Sequence, residues 1–498
     1  MRSKWLASIL GAAACLSASI AAGQDPALVE DNWHQWRGPR ATGVAPHGNP
    51  PAEWSETSNV RWKVKIPGDS TATPVIWGDQ LFLISAIKTD RLAEEPAAKE
   101  SAEKDSGAGK KQDKPDDAKE EKKDDGGKAK EKASTGGRTA SRYGIKKPNN
   151  YYQFAVSSLD RHTGQMRWQH IAKEAVPHEG HHPDGSYASA SPTTDGQRLY
   201  VSFGSRGVYC YDLAGNQLWT RDLGRMKISF TFGEGCSPVI HGDSVIMNWD
   251  HQDGSFLIVL DAKTGETKWR VDRDETTTWA TPLVVEHDGK TQVIVSGIKR
   301  VRSYDLANGE VIWACSGLMP TAIPSPVSDG KNVYCMTGFM GSALYAFPLD
   351  STGDMTEDDR ANIAKIAWKR KQPGTPYVPS PLLDGELLYF TASNKGILSC
   401  LNAPTGEPII DRQRIEGIEN IYASPVAAAD HIYLSGREGL TVVIKRGEFD
   451  RPAAGTDAKP KAIILHSNQL DDRFDASPAV VGDSLYLRGR ENLYCISK

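Results

Sequence analysis

The sequence predicts an all-β fold, an eight-bladed β-propeller of four-stranded antiparallel blades whose ring is closed by an N-terminal strand. Three observations carry this prediction. First, a Ser/Thr-Pro step followed by an apolar run occurs eight times, at Pro74, Pro192, Pro238, Pro282, Pro326, Pro381, Pro425 and Pro478. Second, the steps are spaced by 118, 46, 44, 44, 55, 44 and 53 residues, and the basic period near 44 is the length of one propeller blade. Third, the last repeat (residues 475–496) has room for only three strands. The missing outer strand stands at the other end of the chain as Asn59-Val-Arg-Trp62-Lys-Val-Lys-Ile66. Pairing the two leaves no large open sheet edge in the ring.

Each repeat spells out its four strands in the same order. After Ser/Thr-Pro comes a short strand and a tight turn such as Asp195-Gly196, Gly242-Asp243 or Asp329-Gly330. A second strand with an aliphatic-Tyr pair follows: Leu199-Tyr200, Val333-Tyr334, Leu388-Tyr389, Ile432-Tyr433 and Leu485-Tyr486. A Gly-containing loop leads to a third strand, then Thr/Asn-Gly-Glu and a closing strand with Trp, as in Asp160…Trp168, Asp212…Trp219, Asp261…Trp269 and Asp305…Trp313. Glycine supplies positive φ at these turns, and the Asp side chain bonds its own downstream backbone, so these aspartates are turn formers. The Trp residues at 62, 168, 219, 269, 313 and 368 fall on outer strands, where large aromatics pack blade against blade.

The 498 residues carry 59 Lys+Arg against 63 Asp+Glu, a net charge of −4. That is too small and too mixed to point to nucleic acid as a partner. Mean hydropathy is −0.47, which excludes a multi-span membrane protein, and no transmembrane span is expected. The chain divides into residues 1–23, 24–58 and 59–498. In the first, Arg2 and Lys4 precede an apolar stretch over 5–22 with small residues at Ala21-Ala22-Gly23, the pattern of an export signal. Cys15 lacks a large apolar residue three positions before it, so lipid anchoring there is not expected. A periplasmic or extracellular location follows. Residues 24–58 form a Trp-rich arm. Within the propeller, 88–148 is a charged insertion in blade 1. Its span from 90 to 142 holds 14 cations, 14 anions, one Leu and no aromatic residue, a composition that predicts disorder. Without signal and insertion the body keeps 43 cations against 49 anions, a net of −6.

The Y-x-x-D-x-x-T-G-x-x-x-W units resemble those of the PQQ-like eight-bladed propellers. That superfamily includes quinoprotein alcohol dehydrogenases and the outer-membrane assembly factor BamB. The chain is most similar to secreted bacterial members that carry W-x-Q-[FW]-R-G-P, here Trp33-His-Gln-Trp36-Arg37-Gly38-Pro39. Quinoprotein relatives imply PQQ with Ca²⁺, held against a pair of adjacent, disulfide-linked cysteines. This sequence has no adjacent Cys pair. Cys210, Cys400 and Cys495 occupy one equivalent third-strand position, where Ala346 stands in another blade, and read as small buried packing residues. No cofactor is expected, and no nucleophile elbow, Walker loop, HExxH or dinucleotide fingerprint is present.

Topology then nominates a binding rim. The loop leading into the innermost strand and the loop between strands two and three open on the same face of every blade. The first set carries Tyr187, Phe232 with Glu234, Trp279, Ile323, Tyr377, Tyr422 and Asp475. The second carries Arg206, Asp250, Arg300, Lys395, Arg437, Arg488 and Arg490. Aromatics beside cations around a concave mouth point to an anionic ligand or a partner's carboxylates. The candidate site is Arg206, Glu234, Trp279, Arg300, Tyr377, Lys395, Tyr422, Arg437, Asp475 and Arg490. His178, His181 and His182, in the loop before blade 2, are candidates for Zn²⁺ or Cu²⁺. The expected function is that of a monomeric, non-catalytic scaffold engaging a protein partner or a small anionic ligand on this rim. A PQQ-dependent oxidoreductase is the first alternative. A carbohydrate-binding module is the second, because rim aromatics can stack on sugars.

Overall fold

The computed structural model describes residues 26–94, 144–356, 366–453 and 459–498. The expected export signal, Cys15 and most of the charged insertion lie outside these residues. Eight sheets follow one another in chain order as the eight blades of the ring, each with four antiparallel strands, and blades 4 and 7 add a short fifth strand in parallel, Gly353–Asp354 and Val44–Ala45. Blade 1 comprises Val75–Trp77, Gln80–Leu92, Asn150–Asp160 and Met166–Ala175. Blade 8 comprises Ala479–Val481, Ser484–Arg488, Asn492–Ile496 and, as its outer strand, Val60–Lys65. Val60 pairs with Ile496 and Lys65 with Asn492, so the N-terminal strand closes the ring as its sequence position demanded.

Burial explains the strand composition. Middle strands are sandwiched between two neighbouring blades, as in Ser244–Trp249, where every residue is buried. Outer strands meet water on one side and alternate, as in Val60–Lys65, where Trp62 is the one buried residue. Apolar clusters accordingly form between blades. Tyr200, Val208 and Trp219 of blade 2 meet Val245, Met247 and Leu260 of blade 3.

The outer-strand tryptophans lock this packing. The indole N–H of Trp62, Trp168, Trp219, Trp269 and Trp368 donates to the carbonyl of Arg161, Leu213, Ala262, Leu306 and Ala403 in the next blade, at 2.7–3.1 Å. Each ring lies on the glycine of that blade's outer turn: Gly164, Gly215, Gly265, Gly309 or Gly406. A Cβ on any of these would come within 2.6–2.9 Å of the indole. Glycine is therefore required both by its positive φ and by the close approach. Asp160 and Asp261 cap these turns through backbone N–H donors two and three residues on.

A second belt encircles the axis. The residue before each repeat proline is Ser or Thr, and the backbone N–H of one blade donates to the hydroxyl of the next. The chain of bonds runs Thr73→Ser191→Ser237→Thr281→Ser325→Ser380→Ser424→Ser477 at 2.8–3.2 Å. These backbone groups are buried at the hub and have no strand partner there, so the hydroxyls supply the acceptors they require.

The insertion boundary differs from expectation. The strand entering it continues to Leu92, and Ala93 N–H donates to Asn149 C=O at 2.8 Å. Arg91 stacks on the Tyr151 ring at 3.5 Å, which extends the hairpin beyond what composition alone suggests. The six described cysteines are free thiols. Cys210, Cys400 and Cys495 occupy the shared third-strand position, opposite Trp219, Ile410 and Trp62.

Candidate functional site

The N-terminal arm determines which end of the ring is open. It crosses the face opposite the loop rim and is stitched to successive blades by backbone bonds. Ile76 N–H donates to Trp33 C=O, Thr194 N–H to His34 C=O, Leu383 N–H to Thr42 C=O, and Ala427 N–H to Gly43 C=O. Arg37 is buried and donates to Pro381 C=O at 2.8 Å. Trp36 stands between the axial cavity on one side and a surface groove on the other, and its indole N–H donates to Ser325 Oγ at 3.2 Å. The W-x-Q-W-R-G-P segment thus plugs the far mouth of the ring.

What remains is a funnel of about 440 Å³ on the axis, open on the loop face. Its size lies within the range of small-molecule clefts. One register position generates its wall. The residue three before each repeat proline lines the cavity in all eight blades: Thr71, Ser189, Gly235, Trp279, Ile323, Val378, Tyr422 and Asp475. Blades 8 and 1–3 therefore contribute small or polar groups, and blades 4–7 contribute large, mostly apolar ones. Phe232, Phe339 and Tyr377 extend the aromatic wall, with Phe339 stacked on Tyr377 at 4.7 Å. The Trp279 indole is fixed by donation to Gly233 C=O at 2.7 Å.

The loop before blade 2 arches over this mouth. Asp184 accepts hydrogen bonds from Tyr422 Oη (2.9 Å), Arg437 (2.6 Å) and Arg473 (2.8 Å), on blades 7 and 8. Burial and the bond to Asp184 push the Tyr422 phenol up to about 12. Asp475 accepts from Arg437, Arg473 and Arg490, and Arg490 also bridges to Asp69 at 2.6 Å. Three arginines thus meet three aspartates across the seam of blades 7, 8, 1 and 2.

The sequence-predicted site divides accordingly. Glu234, Trp279, Tyr377, Tyr422, Asp475 and His182 line the funnel. Arg437 and Arg490 stand behind its wall, engaged by carboxylates. Arg206 is buried, with its guanidinium 2.9 Å from Glu234 and near the Tyr187 ring. Arg300 pairs with Asp354 at 2.6 Å away from the funnel, and Lys395 is exposed on the loop of blade 6 outside it. Arg488 is buried beside the Gly68 carbonyl, and Asp250 is buried against Arg273 at 2.8 Å. Arg206, Arg300, Arg437 and Arg490 are thus each paired with a carboxylate, whereas Lys395 is exposed and Arg488 meets a carbonyl. Among the described residues no Lys or Arg lines the funnel, whose charged groups are Asp184, Glu234 and Asp475.

The histidines do not converge. His178 bonds the Met226 carbonyl, His181 lies edge-on to Tyr187 at 4.3 Å, and His182 lies edge-on to Phe232 at 5.1 Å. The described residues hold no group of three or more metal-ligating side chains. Nor do the funnel residues fit a tricarboxylate quinone held on a cysteine pair, since no Lys or Arg and no cysteine lines it. Its carboxylates are engaged by arginines and hydroxyl groups. Sequence reasoning missed Trp36, Asp184, Phe339 and the hub serines. The register three before each proline is the signal that identifies much of the wall.

The ring, its tryptophan belt and its hub place the chain in the class of eight-bladed PQQ-like propellers. Residues 153–412, more than half of the chain, match the profile of a family described as outer membrane protein assembly factor BamB, and the chain belongs to that family. No curated protein matches the sequence. Among solved structures, the chain is similar to quinohemoprotein alcohol dehydrogenase from Comamonas testosteroni (9% identity, 93% of this chain and 80% of that one, TM-score 0.55). A second likeness is to the quinohemoprotein alcohol dehydrogenase ADHIIG of Pseudomonas putida HK5 (9% identity, 94% and 80%, TM-score 0.52). BamB from Moraxella catarrhalis aligns at 15% identity over 68% of this chain and 88% of that one, with a TM-score of 0.47. At such identities the two alcohol dehydrogenase likenesses establish the fold alone. No helix among the described residues is long and apolar enough to cross a membrane.

Proposed function

We propose that the protein is an exported, monomeric, non-catalytic binding propeller that engages a protein partner at its loop face, as a BamB-like scaffold does. The observation that carries this reading is the one-ended funnel. The arm seals the far mouth, while half-buried aromatics and a bridging loop concentrate recognition groups at the other. The charged insertion leaves blade 1 on that same face, as repeat-protein insertions do beside binding surfaces. Membership of the BamB family supports a protein partner, and the amino-terminal signal supports export. A protein partner is favoured over a small anionic ligand, because Arg206, Arg300, Arg437 and Arg490 are each paired with a carboxylate.

Affinity capture on the purified chain, with quantitative mass spectrometry, tests the reading. Capture by wild type should recur across preparations and fall at least tenfold for Tyr377→Ala and Trp279→Ala, with Arg300→Ala unaffected. Titration with PQQ and Ca²⁺ under dye-linked alcohol oxidation should give no turnover. Turnover, or capture indifferent to every loop-face substitution, would overturn the proposal.

A further inference from the structure

Three features of the funnel specify what kind of small molecule it is built to receive. The floor is the hub ring. Ser191, Ser237, Ser325, Ser380, Ser424 and Ser477 are all buried, all line the cavity, and each oxygen accepts a backbone N–H from the preceding blade. A hydroxyl has one proton to donate beyond the bonds it accepts. Ser325 Oγ takes a second donor from Trp36, so its proton must be given away. These hydroxyls, with Thr281 beside them, therefore have protons to offer to acceptor oxygens in the cavity.

The mouth makes the complementary demand. Glu234 Oε1, Asp184 Oδ2 and Asp475 Oδ1 each accept from one partner, respectively Ser205, Tyr422 and Arg437. A carboxylate oxygen accommodates about two donors, so each retains capacity for a ligand O–H. The arginines behind these groups offset their charge, which removes the attraction for a cation. The walls are two-sided. Trp279, Ile323, Val378 and Tyr422 form an apolar arc, and Thr71, Ser189, Gly235 and Asp475 form the polar arc opposite.

A flat molecule with one apolar face, many hydroxyl groups and no charge satisfies all three. We infer that the funnel is a binding site for a neutral carbohydrate. A pyranose ring would set its C–H face on the Trp279 and Tyr377 side, with its hydroxyls toward the serine ring and the carboxylates. This rests on the proposed binding role of the loop face and names a ligand class for its centre.

The test is isothermal titration calorimetry on the full chain with glucose, N-acetylglucosamine, maltose and cellobiose, beside glucuronate and glucosamine as charged counterparts. At least one neutral sugar should bind saturably, and its charged counterpart should bind at least tenfold more weakly. Trp279→Ala should weaken binding at least tenfold, whereas Arg300→Ala, outside the funnel, should bind as wild type. Trp279→Phe keeps an aromatic face and guards against misfolding, and should lose only severalfold. Absence of saturable heat with every neutral sugar, equal binding by Trp279→Ala, or preference for a charged sugar would overturn the inference. If sugar binding fails while protein capture remains sensitive to Tyr377→Ala, the carbohydrate inference falls alone. If capture fails while sugars bind, the scaffold reading falls instead.

Discussion

Two rings of side chains encircle the axis of this propeller, two residues apart in every repeat. The residue directly before the proline is Ser or Thr in all eight blades, and in every blade but the first its hydroxyl accepts a backbone N–H from the preceding blade. The residue three before the proline differs in every blade: Thr71, Ser189, Gly235, Trp279, Ile323, Val378, Tyr422 and Asp475. The first ring serves the backbone, whose needs are the same eight times over. The second faces open space, where nothing in the fold dictates chemistry. Uniformity thus marks structure in this molecule, and irregularity at an equivalent position marks recognition. The tryptophan belt obeys the first rule at the periphery.

The comparison can be broken in several places. The largest effect is expected at the belt. Trp219→Ala removes a buried indole stacked on Gly265 and its bond to Ala262, and should cost about 3–5 kcal/mol, read by chemical denaturation.

Next comes the arm that seals the funnel. Burial holds the His34 imidazole down to about 4 from its ordinary 6.5, so the folded state keeps it neutral. The unfolded chain binds the proton more readily, so this contribution is complete above pH 6.5 and is lost as pH falls toward 4. The loss is roughly 3 kcal/mol at the acid end. Melting temperature should drop between pH 7 and pH 4.5 in wild type, and less steeply in His34→Phe; identical slopes would refute the assignment.

A smaller effect belongs to the uniform ring itself. Ser424→Ala leaves the buried Ser380 N–H without an acceptor and should cost about 1–3 kcal/mol by thermal melting. In the variable ring the same measurement should register little. Trp279→Ala should cost less than Ser424→Ala, because its indole is partly exposed to the funnel. A stability loss there as large as that of Ser424→Ala would erase the distinction between the rings.

Much of this was legible in the chain. The Ser/Thr-Pro steps set the blade count, the short last repeat and the strand around Trp62 set the closure, and the Asp…Gly…Trp spacing set the belt. These features depend on contacts between adjacent repeats, whose positions a fixed period determines. The ion pairs were not legible. Arg437 and Asp184 are 253 residues apart in sequence, and only the path of the loop before blade 2 across the mouth brings them to 2.6 Å. Counting cations per loop therefore overstated the free positive charge. The path of Trp36 was hidden for the same reason, since the arm lies outside the repeat and follows no period. The cavity wall lay in between, present in the sequence as a register and obscured by the more conspicuous aromatics around it.

The pairing of Val60 with Ile496 has a consequence for how the molecule comes into being. Seven blades take their antiparallel strands from neighbouring sequence, but the eighth joins Val60–Lys65 to Asn492–Ile496 and cannot form until the latter strand has been made. Contacts of such long sequence separation form slowly, so the newly made protein should pass through an open, spring-like array before it becomes a ring. Stopping the chain before Asn492 and starting it after Lys65 remove the two halves of one seam, and both truncations should leave the same unclosed species. For this protein, making the last blade and becoming circular are a single event.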